Sequence, residues 1–314
     1  MAKGLLERLL VDGQQAEAVQ TLLNARFGPS AAEIDETLKS GADSLVLKGR
    51  FKGQPAVFKR FLTPEAARTI SRMQEELSFL SEHLTDRFRA NRLLAAVPDQ
   101  GLAVLELAQG ERVSLIFKSD DAVRRAQVLA LCGQWLSATA ALRNEPRKLG
   151  TRRLERQFTD LSLEMLVPED RALAQRVMDA ARGFSRSFAG MQAVHAIAHG
   201  DFAPVNMVSD GETVCAVDIQ GAAWFPLART VARFLVAKDL YSQRAAPRLW
   251  GVDADDMAAF NPAEILPGVE MTTALPYFIA QQMVRRFVTT YRDRGGHPAA
   301  RSRLQSCLQS LESA

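Results

Sequence analysis

The residues best suited to chemistry stand close together: His199-Gly200-Asp201-Phe202-Ala203-Pro204-Val205-Asn206, then the apolar run Val214-Cys215-Ala216-Val217, which ends at Asp218. Gly200 and Pro204 interrupt regular structure, so the first part reads as a loop. Asp210-Gly211 is a hairpin signal between two short β-prone runs, Met207-Val208 and Val214 to Val217. Three oxygen-bearing side chains, Asp201, Asn206 and Asp218, are thereby expected at one end of a hairpin. Phosphoryl transfer needs such a set: one carboxylate orients and deprotonates an attacking hydroxyl, while an amide and a second carboxylate hold Mg²⁺ against a triphosphate. His195 and His199, four residues apart with Asp201 behind them, allow a rival reading as metal ligands on a helix. Gly200 would end that helix, and the other histidines, His83 and His297, are remote in sequence. A zinc hydrolase is therefore the weaker reading, and His195 is expected to be a packed or partly exposed helix residue.

The elements that must position this set are legible upstream. Ser44 to Lys48 and Ala56 to Phe61 are β-prone runs joined by a turn at Lys52-Gly53-Gln54, which predicts a hairpin. Pro64 opens a long amphipathic helix, because Ile70, Met73, Leu77, Leu80 and Leu84 form one apolar stripe. Leu93 to Val97 and Gly101 to Leu107 read as two more strands around a Pro98-Asp99-Gln100-Gly101 turn. Ahead of these, Leu5, Leu6, Leu9, Leu10, Val19, Leu22 and Leu23 recur at helical spacing, with Gly13 as a break between two short helices. A third helical stretch follows an N-cap at Ser30. From about Ser119 the pattern is mainly helical, carrying Leu129, Trp135, Leu136, Leu142, Leu163 and Val177. The expected division is a helical extension over residues 1–40, a sheet-and-helix portion over 41–107, and a helical portion over 108–314 that holds the chemical residues.

The motif His-Gly-Asp-x4-Asn with an Asp ending the next apolar run resembles the catalytic and metal-binding loops of the aminoglycoside phosphotransferase and choline kinase family. That resemblance implies an α+β, protein-kinase-like two-lobed fold with ATP in the cleft between the lobes. It makes Asp201 the catalytic base, Asn206 and Asp218 the Mg²⁺ ligands, and His199 a brace for the loop. Ala56-Val57-Phe58-Lys59 resembles the strand bearing the phosphate-binding lysine, Lys59. Its carboxylate partner would be Glu75 or Glu76, and projection at about 100° per residue puts Glu76 nearer the apolar stripe. Leu102 to Leu107 resembles the last strand of the small lobe and its hinge, so Glu106 and Leu107 would present backbone groups to adenine. The implied activity is ATP-dependent phosphorylation of a hydroxyl on a small molecule such as a sugar, amino alcohol or aminoglycoside. Two features depart from the family: there is no glycine-rich loop, only Gly41 and then Ser44, and Pro226-Leu227-Ala228-Arg229-Thr230 lacks the Asp that usually supports the catalytic loop. These departures motivate the alternative of a kinase-like nucleotide-binding or interaction protein without strong catalysis. A protein kinase is disfavoured, because Gly200 stands where those enzymes normally have Arg and no Ala-Pro-Glu segment follows Asp218.

Composition narrows the partners. The 314 residues are 47% hydrophobic and 24% charged, an ordinary globular balance, and a net charge of +3 is too small to announce a nucleic-acid partner. No apolar window approaches the ~20 residues a bilayer requires. Glu7, Arg8 and Asp12 interrupt any signal-like stretch at the start. Cys132, Cys215 and Cys307 are widely spaced, which fits reduced thiols and a cytoplasmic setting. Asp253, Asp255 and Asp256 favour a cationic substrate, whereas Arg285, Arg286, Arg292, Arg294, Arg301 and Arg303 oppose one while reading by default as a solvated helix face. Trp224 and Phe225 are candidates for lining a substrate cleft.

Overall fold

The computed structural model of the protein describes residues 2–85, 87–119, 121–150, 156, 158, 160–239, 244–295 and 297–313, with side chains from residue 13 onward except 239, 293 and 294. Two compact units emerge. The first comprises the chain up to Leu84, Arg89–Gln109 and Val217–Ala222; the second comprises Thr85–Phe88, Gly110–Ala216 and the chain from Ala223.

In the first unit, α1 (Ala2–Phe27) precedes β1 (Ala32–Ser40), β2 (Ser44–Phe51) and β3 (Gln54–Phe61), then α2 (Ala66–His83), the last two residues of β4 (Phe88–Ala90), β5 (Leu93–Val97) and β6 (Leu102–Glu106). The sheet order is β1-β2-β3-β6-β5. Lys52 and Gly53, with φ of 48° and 79°, form the two-residue turn that matches strand twist, so β2 and β3 pair from Ser44↔Phe61 to Phe51↔Gln54. On one side Leu45, Leu47, Phe51, Ala56, Phe58, Leu102 and Val104 form a core with Val19 and Leu23 of α1.

Two helical expectations fail here. α1 runs through Gly13 without a break, because a lone helical glycine costs only about 1 kcal/mol relative to alanine. The side chains of Leu5, Leu6, Leu9 and Leu10 lie outside the described residues. The stretch after Ser30 is a strand, β1, because pairing outweighs its helix-friendly composition: it bonds along β2 from Ala32↔Phe51 to Ser40↔Leu45. Gln20 of α1 adds to this, donating to the Ala32 carbonyl at 2.9 Å and accepting from the Ile34 N–H at 3.1 Å. Gly49 makes the approach feasible, since a Cβ there would sit 1.9 Å from the Glu33 carbonyl oxygen. Gly49→Ala is expected to cost about 1–3 kcal/mol by overpacking, seen as a lower urea midpoint for the full chain; an unchanged midpoint would show that β1 does not hold this position.

The second unit contains β7 (Glu111–Arg112), α3 (Val113–Ile116), α4 (Ala122–Leu142), β8 (Asn144–Lys148), α5 (Pro168–Ser187), β9 (Gln192–Ile197), β10 (Met207–Ser209), β11 (Val214–Ala216) and β12 (Trp224–Pro226). After these come α6 (Leu227–Asp239), β13 (Arg248–Leu249), β14 (Val252–Asp253), α7 (Ala254–Phe260), α8 (Gly268–Thr272), α9 (Ala274–Arg294) and α10 (Pro298–Glu312). Helices dominate, but β12-β9-β8 form a small sheet in addition to the short β hairpin that was the one interruption expected in this helical portion. His195 consequently lies on β9, paired with Glu145 and Pro226, and is not a helix residue. Leu163 falls in a connection ahead of α5, not in a helix.

The two charged clusters singled out in the sequence are largely structural. Asp253 caps α7, accepting from the Asp256 N–H, and pairs with Arg244 at 3.1 Å. Asp256 pairs with Lys238 at 2.6 Å and with Arg125 and Arg244 at 3.2 Å. Burial alone would raise the Asp256 pKa, but Lys238 above all, then Arg125 and Arg244, hold it below the ordinary value. Among the C-terminal arginines, Arg303 is fully buried and donates to the Gly251 carbonyl, and Arg301 pairs with Asp170 at 2.8 Å; the uniformly solvated face does not form. The Arg294 side chain lies outside the described residues. All three cysteines are buried thiols; burial pushes the pKa of Cys132 up, and it pushes that of Cys307 up to about 12. No helix among the described residues is long and apolar enough to cross a membrane.

Candidate active site

In the second unit, the loop after β9 is anchored from beneath. Phe202 is fully buried and stacks on Trp135 (5.6 Å between centroids) and on Phe234 (4.7 Å), which in turn stacks on Phe260 (5.1 Å). With Phe202 pinned, the preceding residue is directed outward, and the Asp201 side chain is half exposed. His199, 3% exposed, accepts at Nδ1 from the Asp201 backbone N–H at 3.1 Å and sits edge-on to Trp135. The Asn206 side chain, also buried, donates through Nδ2 to the Asp201 carbonyl at 2.9 Å. That bond turns its oxygen away from the Asp201 backbone. His199, Asp201 and Asn206 are thus one hydrogen-bonded loop. Met207↔Ala216, Val208↔Cys215 and Ser209↔Val214 pair as the expected hairpin, and Asp210 stabilises its tip by accepting from the Glu212 and Thr213 N–H groups.

Arg233 of α6 forms an ion pair with Asp201 through Nη2 and Oδ1. Where the family resemblance leads one to expect an Asp after Pro226, the helix instead carries Arg229 and Arg233. The sequence reading missed Arg233, although two arginines one turn apart after a motif Asp were a visible signal. It also missed Phe202, whose neighbours come from α4, α6 and α7 and leave no local trace.

In the first unit, Lys59 lies on the central strand β3, paired in register with Val46 and Ala103, and is 6% exposed. Its Nζ forms an ion pair with Asp218 and lies 4.8 Å from the Phe61 ring centroid. Asp218 has φ of 65°, a left-handed conformation that Asp tolerates better than most side chains but that is held only where surroundings determine it. Those surroundings are Lys59 and Gln220, whose Nε2 donates to the same Oδ1 at 3.0 Å, and the following turn at Gly221, where a Cβ would meet Arg72 of α2 at 2.9 Å. On α2, Glu76 is 4% exposed and Glu75 is exposed, so the inward-facing carboxylate is the one the apolar projection favours. Glu106 ends β6. Burial raises its pKa, but hydrogen bonds from Arg92 and Arg89 outweigh this and hold the carboxyl below its usual range. The Leu107 N–H is already bonded to the Pro55 carbonyl at 3.2 Å, so that donor is engaged within the sheet. The β1–β2 connection at Gly41 is a tight turn closed by Gly41 N–H to the Ser44 carbonyl at 3.1 Å.

Comparison with solved structures decides the fold. A thermostable mutant of aminoglycoside phosphotransferase APH(4)-Ia, in complex with ADP and hygromycin B, superposes with a TM-score of 0.63 at 12% identity, covering 93% of this chain and 98% of that one. This chain has the fold of the small-molecule kinases. Amicoumacin kinase hAmiN, with AMP-PNP, Ca²⁺ and Ami, gives 0.61 at 14% identity over 98% and 96% of the two chains. A choline/ethanolamine kinase family protein from Mesorhizobium loti gives 0.59 at 12% identity over 95% of each. The α+β fold implied by the motif resemblance is therefore present. No protein-family profile and no curated protein sequence matches the chain.

Proposed function

We propose that the protein is an ATP-dependent phosphotransferase acting on the hydroxyl of a small molecule. The observation that carries this reading is the half-exposed Asp201 on a rigid loop braced by His199 and Asn206 from within and Phe202 from below, in a chain of small-molecule kinase fold. Asp201 orients the acceptor hydroxyl and takes its proton as the oxygen attacks the γ-phosphorus. A new P–O bond forms there, and the bond from γ-phosphorus to the β,γ-bridging oxygen breaks, its electron pair leaving with ADP. Lys59, kept in place by β3 and supported by Glu76, offers its ammonium to the α- and β-phosphates. Glu106 and Leu107 would serve adenine through their carbonyl groups, because their N–H groups are engaged by the Arg92 and Pro55 carbonyls. Asn206 and Asp218 supply hard oxygen donors, the type Mg²⁺ takes, and these two residues would hold it. When bound, such an ion offsets negative charge on the β- and γ-phosphates.

A binder without transfer is the second reading, favoured by the engagement of Asp201 by Arg233. Thermal-shift titration with ATP, with and without Mg²⁺, followed by acceptor-dependent ADP release over a panel of hydroxylated compounds, separates the two. The phosphotransferase reading expects Mg²⁺-dependent stabilisation and ADP release with at least one acceptor. Stabilisation with no release across the panel favours the binder, and no response to nucleotide removes both.

A further inference from the structure

We propose that the acceptor is an anionic small alcohol, carrying a carboxylate or phosphate near its hydroxyl, and that Arg233 and Arg229 recognise this oxyanion; the proposal rests on the phosphotransferase reading above. The two arginines are one turn apart on α6 and so share a face. That face meets the loop at Asp201. Arg233 pairs with the Asp201 carboxylate, while the Arg229 guanidinium lies 5.0 Å from the centroid of the Phe225 ring. The same ring adjoins the loop, since a Cβ built at Gly200 would be 3.5 Å from its Cε2. One guanidinium therefore holds the carboxylate that meets the acceptor, and a second lies against the ring that adjoins the same loop.

Accessibility and hydrogen-bond demand both favour an oxyanion. The Asp201 and Arg233 side chains are 51% and 32% exposed, so a small molecule can reach them. Of the five N–H groups of Arg233, the structure commits one to Asp201, and its buried Nε has no hydrogen-bond partner among the described residues. An acceptor hydroxyl that engages Asp201 competes with that contact and leaves the guanidinium short of acceptors. An oxyanion on the same molecule replaces what is lost with charge-assisted, geometrically matched hydrogen bonds. A cationic acceptor would instead face two like charges at close range. Of the three acids that suggested a cationic ligand, Asp253 and Asp256 are occupied by Arg244, Lys238 and Arg125, and Asp255 is exposed.

Calorimetric titration of the full chain with a matched three-carbon series tests this, using glycerol, D-glycerate and sn-glycerol 3-phosphate with ethanolamine as the cation, all in the presence of AMP-PNP and Mg²⁺ so that nucleotide phosphate subsites are filled. At least one anion is expected to bind tenfold or more tightly than glycerol, and the glycerate and glycerol phosphate arms tell carboxylate from phosphate recognition. Arg233→Met and Arg229→Met should each weaken that binding by about tenfold to a hundredfold, with Arg233→Lys recovering part of the loss. If Arg233→Met fails to fold by circular dichroism, Arg229→Met decides. Failure of both anions to bind at tens of millimolar overturns the proposal, as does equal or tighter binding of glycerol or ethanolamine, or indifference of anion binding to both arginine variants. Anion binding without ADP release when ATP replaces AMP-PNP upholds the recognition and counts against phosphotransfer. ADP release with neutral or cationic acceptors alone does the reverse.

Discussion

Asp201→Asn lowers turnover by about 10²- to 10⁴-fold, the usual contribution of a positioned general base, equivalent to about 3–5 kcal/mol of barrier. Asn keeps the size of the side chain and an oxygen for Arg233 to bond, so the loop geometry set by His199, Asn206 and Phe202 is preserved. What disappears is a carboxylate able to take the hydroxyl proton. Affinity for ATP with Mg²⁺, measured by calorimetry, should stay near that of the parent protein, because neither Lys59 nor Asp218 is touched. Turnover is read as ADP release with an acceptor from the screen. Full activity in the variant would remove Asp201 from the role of base.

Replacing Phe202 by Ala should lower stability by about 3–5 kcal/mol, the range for deleting a fully buried aromatic ring. Its ring lies between Trp135 and Phe234 and within 6.5 Å of Phe260, so truncation empties the middle of a stack drawn from three helices. The residue adjoins Asp201, and ADP release should fall together with stability. Phe202→Leu, closer in volume, should lose well under half as much. Urea unfolding followed by Trp fluorescence reads both, and a Phe202→Ala midpoint equal to the parent's would show that the loop is not held from below.

The parts of the site legible in sequence are those held by neighbours in the chain. Gly200, Pro204 and Asp210-Gly211 announced a loop and hairpin that the structure contains, because turn residues act through their own backbone preferences. The α2 stripe separated an inward Glu76 from an outward Glu75 for a similarly local reason, the helical period. β1 was hidden, since its Ala, Glu and Lys content suits a helix and its strand state depends on hydrogen bonds to β2 and Gln20. β8, β9 and β12 were hidden too: each is short, and none has a face whose alternation stands out from helical surroundings.

By itself the amino-acid sequence determined the chemical inventory of this protein: a carboxylate, an amide and a second carboxylate at set spacings, a lysine on a strand ahead of a helix, and turns to carry them. Only the tertiary structure decided which of these groups are engaged and by whom. Arg233 is 32 residues from Asp201, and Lys59 is 159 from Asp218. Pairings over such separations are chosen by the packing of whole elements, through the burial of apolar faces and the need to satisfy the charges that burial traps. The same packing drew Asp253 and Asp256, two of the three acids that suggested a cationic ligand, into an internal ion network, and placed Arg233 on the carboxylate where the chemistry is expected.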